Sequence, residues 1–262
     1  LEIVNWLDWC MNNNQKIEFK DSIKLNNVFY TYPNETEAAI KNININIQCK
    51  KKIGIVGGTG SGKTTTVDLI LSLLSPEKGS LTVDEVEIND QNRHKWQSII
   101  GYVPQQIYLS DNSIAENIAF GVKKEEINYK DIENVSKISN LHEFIKNDLK
   151  DGYQTIVGER GVRLSGGQRQ RIGIARALYR KPQVLIFDEA TNALDNLTEK
   201  AVIQSIQNIE NDITIIMIAH RLNTVRNCDD IFLLEKGSLI AQGNFENLLK
   251  NSKTFHKMNI KN

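Results

Sequence analysis

The chain has 262 residues, enough for one substantial α/β domain or two modest ones. Its 32 lysines and arginines balance 32 aspartates and glutamates, which excludes an overall basic footprint for nucleic acid and leaves only a local patch open. Cys10, Cys49 and Cys228 are odd in number and lack C-x-x-C spacing, so neither a disulfide framework nor a zinc site is expected.

Residues 1 to 14 join Trp6, Leu7 and Trp9 to the polar run Asn12 to Asn14. They read equally well as a tether from a preceding domain and as an edge element of the same one. The chain starts at Leu1 rather than Met, which predicts a part of a longer polypeptide. No run approaches the roughly 20 apolar residues of a membrane helix.

From Ile17 to Ile53 the pattern is that of strands. Ile43, Ile45 and Ile47 alternate with Asn44, Asn46 and Gln48, as in a strand with one buried face. Tyr32-Pro33-Asn34 marks a turn. Ile53 to Val56 predicts a short buried strand, and Thr64 to Leu74 a helix closed by Pro76 and Gly79. The middle of the chain, about 105 to 180, is mainly helical in pattern. Val184 to Phe187 and Ile213 to Ile218 are short all-apolar runs, as expected of central strands in a parallel sheet covered on both faces. Strands alternating with helices argue an α/β architecture.

Between the strand at 53 to 56 and the helix from 64 lies Gly57-Gly58-Thr59-Gly60-Ser61-Gly62-Lys63-Thr64, which matches G-x-x-x-x-G-K-[ST]. Glycines let backbone N–H groups turn inward around phosphate oxygens, and the following helix adds the positive end of its dipole. Lys63 can reach the β and γ phosphates, and the Thr64 hydroxyl can meet magnesium. Val184 to Phe187 runs into Asp188 and Glu189. Asp188 is a candidate metal ligand, and Glu189 a candidate general base for an attacking water. Leu164-Ser165-Gly166-Gly167-Gln168 predicts a second anion-binding helix start, with Ser165 as N-cap. Two such starts in one chain point to two phosphate groups or to two subunits.

With these three motifs the chain resembles the ATP-binding cassette family from about residue 20 to 250, L-S-G-G-Q being that family's signature. The resemblance implies a P-loop NTPase core with a mostly parallel sheet, an antiparallel β subdomain and an α-helical signature subdomain at about 105 to 180. It implies a linker over 1 to 16 and the ATPase domain over 17 to 262. It also assigns further residues. Tyr32 corresponds to the aromatic that stacks on adenine, and Thr65 to the hydroxyl residue after the metal position. Gln105 corresponds to the glutamine that senses magnesium, Asp195 to the D-loop aspartate and His220 to the switch histidine. ATP and Mg2+ are the implied cofactors.

The implied partners are a second copy, paired head to tail across ATP, and a transmembrane domain; nucleic acid is not expected. Gly158-Glu159-Arg160-Gly161 looks exporter-like. Segments 102 to 109 and 171 to 179 look similar to bacterial flippases of lipid-linked saccharides. The resemblance implies a location at the cytoplasmic face of a bacterial inner membrane. A non-transport ATPase of the family and a separate importer subunit are the alternatives. A kinase or GTPase reading lacks an N-K-x-D guanine motif and leaves the signature unexplained.

Overall fold

The computed structural model describes residues 19–189, 197–198, 201–202, 213–219 and 221–261. The expected linker over 1 to 16, Asp195 and His220 lie outside these residues. Ten strands are described: β1 Ser22–Tyr30, β2 Ile40–Gln48, β3 Lys52–Gly57, β4 Lys78–Val83, β5 Val86–Glu87, β6 Ile100–Val103, β7 Val184–Asp188, β8 Thr214–Ile218, β9 Asp230–Glu235 and β10 Ser238–Gly243. The helices are α1 Lys63–Ile70, α2 Arg93–Ser98, α3 Ile114–Ile118, α4 Tyr129–Ile138, α5 His142–Asp148, α6 Gly166–Tyr179, α7 Phe245–Asn251 and α8 Lys253–Lys261.

Two sheets organise the molecule. The larger has the order β10-β9-β3-β8-β7-β6. Its β9, β3, β8, β7 and β6 run parallel, and β10 closes one edge antiparallel to β9. The smaller sheet, β2-β1-β4-β5, is antiparallel throughout. A backbone bond from Lys41 N–H to the Gly237 carbonyl, 2.7 Å long, ties the two together.

Sequence pattern explains both sheets. In β2 Ile43, Ile45 and Ile47 are buried and the residues between them are exposed. Strands β7 and β8 are buried at every residue, because helices or the second sheet cover both faces of the parallel sheet. One core cluster, including Ile23, Ile43, Ile55, Val67 and Ile186, fills the space between the sheets and α1. The other, including Ile114, Ile132, Ile145, Ile174 and Phe187, joins α3 to α6 to the opposite face. Among the described residues, no helix is long and apolar enough to cross a membrane.

Helix α1 stops at Ile70, four residues short of the expected Leu74. Residues from the distant α2 segment take over its final carbonyls. Trp96 Nε1 donates to the Ile70 carbonyl at 2.7 Å, and Gln97 Nε2 donates to that of Leu71 at 3.0 Å. Ser72 then turns into the left-handed region at φ 53°. Burial pushes the Cys228 thiol up to about 12, which keeps it protonated and unreactive.

Candidate functional site

The glycine-rich loop connects β3 to α1 at the end of the parallel sheet. Gly62 immediately precedes α1 with φ 98°, a conformation that favours glycine, and a Cβ there would lie 3.1 Å from the Ala39 carbonyl oxygen. At Gly57 a Cβ would lie 2.3 Å from the Leu234 carbonyl oxygen of β9, so a side chain has no room. Gly58, Thr59 and Gly60 are exposed. Lys63, only 6% exposed, turns back over the loop and donates from Nζ to the Gly57 and Gly58 carbonyls, both at 3.0 Å. Burial lowers the pKa of its ammonium, while the charges of Glu189 and Asp188 oppose that shift.

Ser61 is 4% exposed, and its Oγ is a buried polar atom with no hydrogen-bond partner. An orphaned hydroxyl inside a loop of inward-turning amides suits phosphate oxygens. Thr64 is exposed at the second position of α1. The next residue, Thr65, has Oγ1 3.0 Å from Tyr32 Oη. Tyr32 itself is 38% exposed and meets Tyr30 edge to face, with ring centroids 5.1 Å apart. The expected aromatic therefore stands beside the first turn of the phosphate-loop helix.

Strand β7 carries the two acids to the same end of the sheet. Asp188 is its last residue, 8% exposed. Glu189 follows with φ 51°, uncommon for a residue other than glycine, and its N–H donates to the Ile218 carbonyl at 3.2 Å. Gln105 Nε2 donates to Glu189 Oε2 at 2.9 Å, so residues of two separate motifs meet. Burial, then the Asp188 charge, raises the Asp68 carboxyl pKa.

Tyr102 has no role of its own in the motifs, yet its Oη donates to Asp188 Oδ2 at 3.1 Å. Burial and the neighbouring Asp188 push the phenol well above its usual range. Only the strand register could have revealed this contact, because 86 residues separate the pair.

The Thr64 hydroxyl, the Asp188 carboxylate and the Gln105 amide are hard oxygen donors, a set that fits Mg2+ sharing its shell with phosphate and water. Among the described residues, no group of three or more His, Cys, Asp or Glu side chains could hold a metal without such help.

The signature residues open α6. Ser165 caps α6: its Oγ accepts from Gln168 N–H at 3.2 Å, and Gln168 Oε1 accepts from Ser165 N–H at 2.8 Å. This reciprocal pair is a capping box. Ser165 and Gly166 are exposed and Gly167 partly so, leaving the start of the helix open to an anion. Arg169 Nη1 donates to the Leu164 carbonyl at 2.6 Å, and Arg171 Nη1 to that of Asn140, also at 2.6 Å, so the turn is anchored within the helical region.

That region packs against the segment bearing Gln105. A Cβ on Gly173 would lie 2.4 Å from Ile107 Cδ1, and one on Gly161 2.8 Å from Leu109 Cδ1. The segments 102 to 109 and 171 to 179 are thus neighbours in space. Tyr108, Ile156 and Val162 leave large apolar side chains exposed nearby.

Comparison with known proteins agrees with this geometry. The family model described as "ABC transporter" matches residues 40–192. "Leukotoxin translocation ATP-binding protein LktB" of Mannheimia haemolytica is 43% identical over 240 residues, covering 90% of this chain and 33% of the relative. The LktB of Bibersteinia trehalosi matches with the same identity and coverage. A solved structure described as a bacterial Atm1-family ABC exporter with ATP bound superposes with a TM-score of 0.87 at 29% identity, over 98% of this chain and 46% of that one. The chain spans about a third of the length of the curated relatives it matches.

Proposed function

As the chain belongs to the ABC transporter family as an ATP-binding domain, we propose that it drives export through a transmembrane domain by hydrolysing ATP between two head-to-tail copies. The single observation that carries this reading is the convergence of the glycine-rich loop, Asp188, Glu189 and Gln105 at one end of the parallel sheet, with the Gln105–Glu189 bond at its centre.

Each residue has a physical task. Gly57, Gly58, Thr59, Gly60, Ser61 and Gly62 present backbone amides and one hydroxyl to the phosphates. Lys63 leaves its carbonyl partners to neutralise the β and γ phosphates. Tyr32 offers a face for the adenine. Thr64, Asp188 and Gln105 would hold Mg2+, which supplies charge neutralisation as the terminal phosphoryl group departs. Glu189 orients the attacking water. Asp195 and His220 are assigned by family resemblance to coupling between the two copies and to the γ-phosphate.

Ser165, Gly166, Gly167 and Gln168 serve the nucleotide of the partner copy. Support comes from their exposure and from the anchoring of the turn to residues 140 to 164. ATP then bridges the two copies, and loss of its terminal phosphate weakens the bridge. The exposed Tyr108, Ile156 and Val162 suit docking of a membrane domain beside the Gln105 segment. In that arrangement the domain over 17 to 262, with its helical part at about 105 to 180, lies on the cytoplasmic face of the membrane.

Glu189→Gln tests the reading. Phosphate release falls by at least about a hundredfold, the range of a lost general base. ATP still binds, and the variant accumulates as a dimer during size-exclusion chromatography in ATP. Hydrolysis at the normal rate would remove Glu189 from the base position.

A further inference from the structure

We propose that Tyr102 is a positioning residue for the divalent cation and acts through Asp188. The inference rests on the reading of the site given above and extends it to a residue outside the nucleotide motifs. Strands β6 and β7 run parallel, with Tyr102 opposite Ile186. Side chains alternate along a strand, so Asp188, two residues beyond Ile186, shares the face of Tyr102. Two residues advance the strand by about 6.6 Å, a span that a tyrosine leaning along the strand can bridge. The phenol accordingly ends 3.1 Å from Asp188 Oδ2.

The chemistry of that contact is directional. The terminal torsion of an aspartate is broad, so a donor held on one oxygen sets the plane of the carboxylate. Fixing the plane fixes the direction from which a cation can be met. A neutral O–H donor also stabilises the charged form without cancelling the charge that a cation needs. Asp188 is nearly buried, where such a bond is stronger than in water. The competing explanation is packing alone: a half-buried tyrosine needs some partner for its hydroxyl.

The two explanations separate in a binding experiment on the full chain with ADP. Mn2+ serves as the probe, its uptake followed by loss of the free-ion signal in electron paramagnetic resonance. Metal-free nucleotide affinity is measured in EDTA with a fluorescent ADP analogue. Tyr102→Phe keeps the ring and removes the donor. It weakens Mn2+ binding by about tenfold, as loss of an outer-shell partner does, and leaves metal-free nucleotide affinity unchanged. Asp188→Asn weakens Mn2+ binding further.

Wild-type Mn2+ affinity in Tyr102→Phe, alongside a weakened Asp188→Asn, would reduce the hydroxyl to packing and overturn the proposal. A matching fall in metal-free nucleotide affinity in Tyr102→Phe would mean general loosening and overturn it as well. Unchanged Mn2+ affinity in Asp188→Asn would instead remove the cation site on which the proposal stands.

Discussion

Gln105 holds Glu189 by a single hydrogen bond of 2.9 Å from Nε2 to Oε2, across 84 residues of sequence. The glutamine lies just beyond β6, and the glutamate just beyond β7. Any movement of the Gln105 segment therefore pulls directly on the proposed base. Replacing Gln105 with alanine removes the donor and leaves the phosphate loop untouched. Turnover falls roughly tenfold to a hundredfold, as expected when a reacting group is misplaced by about 1 Å. Nucleotide affinity measured in EDTA, without the cation that Gln105 would help to hold, stays within about twofold of wild type, because binding and positioning are separate contributions. Steady-state phosphate release and equilibrium titration with a fluorescent nucleotide check the two halves of this expectation.

The same region shows what was legible in the sequence and what was not. The phosphate loop, the acid pair and the signature helix were visible because each is local: glycine tolerance, a strand end and a serine cap all act within a few residues. The alternation of Ile43, Ile45 and Ile47 announced β2 for the same reason. Hidden features were those made by distant partners. The end of α1 depends on Trp96 and Gln97, and the Tyr102–Asp188 bond depends on the register of β6 against β7. The positive φ of Glu189 is likewise not legible in the sequence, since glutamate has no local preference for it.

Trp96 is fully buried, and its indole N–H meets the Ile70 carbonyl at the end of α1. Phenylalanine fills most of the volume but leaves that carbonyl without its donor. The change costs about 1–3 kcal/mol, the range for an unsatisfied buried polar group. Urea denaturation measures it as a lower midpoint with an unchanged slope. Because the loss falls at the far end of α1, the affinity for ADP changes little once the protein is folded.

Ser113 caps α3 through a reciprocal pair with Glu116. Its Oγ accepts from Glu116 N–H at 3.2 Å and donates to Glu116 Oε2 at 2.6 Å, while Ser113 N–H donates to the same oxygen at 3.1 Å. The Ser113 hydroxyl, then its N–H, hold the glutamate carboxyl below its usual range. A lowered folded-state value contributes stability that is present above the unfolded-state value and is lost as pH falls through the folded one. Ser113→Ala costs about 1 kcal/mol near neutral pH. The gap in thermal midpoint between wild type and variant narrows as pH falls through the lowered folded-state value of Glu116, below which the carboxyl is protonated in both. It does not close, because the bond from Glu116 N–H to the serine oxygen is independent of pH.

Arg176 occupies the junction between α6 and the Gln105 segment, and its guanidinium lies 4.9 Å from the centre of the Phe120 ring. Nε donates to the Asn117 carbonyl at 2.8 Å, Nη1 to the Tyr108 carbonyl at 2.9 Å and Nη2 to Asn117 Oδ1 at 3.3 Å. Asn117 is fully buried and also accepts from Ser110 N–H at 3.0 Å. Burial lowers the pKa of this guanidinium. Lysine retains a positive charge but offers a compact ammonium in place of a planar fork, so it cannot serve the three oxygens at once. Arg176→Lys therefore loses about 1.5–3 kcal/mol of stability, the range for a hydrogen bond to a charged group. It also frees the chain around Tyr108, three residues from Gln105. Hydrogen exchange at 105 to 110 rises in the variant, and turnover falls more than nucleotide affinity does. A variant that lost stability with unchanged exchange at those amides would show that Arg176 supports α3 and α6 without restraining the glutamine segment.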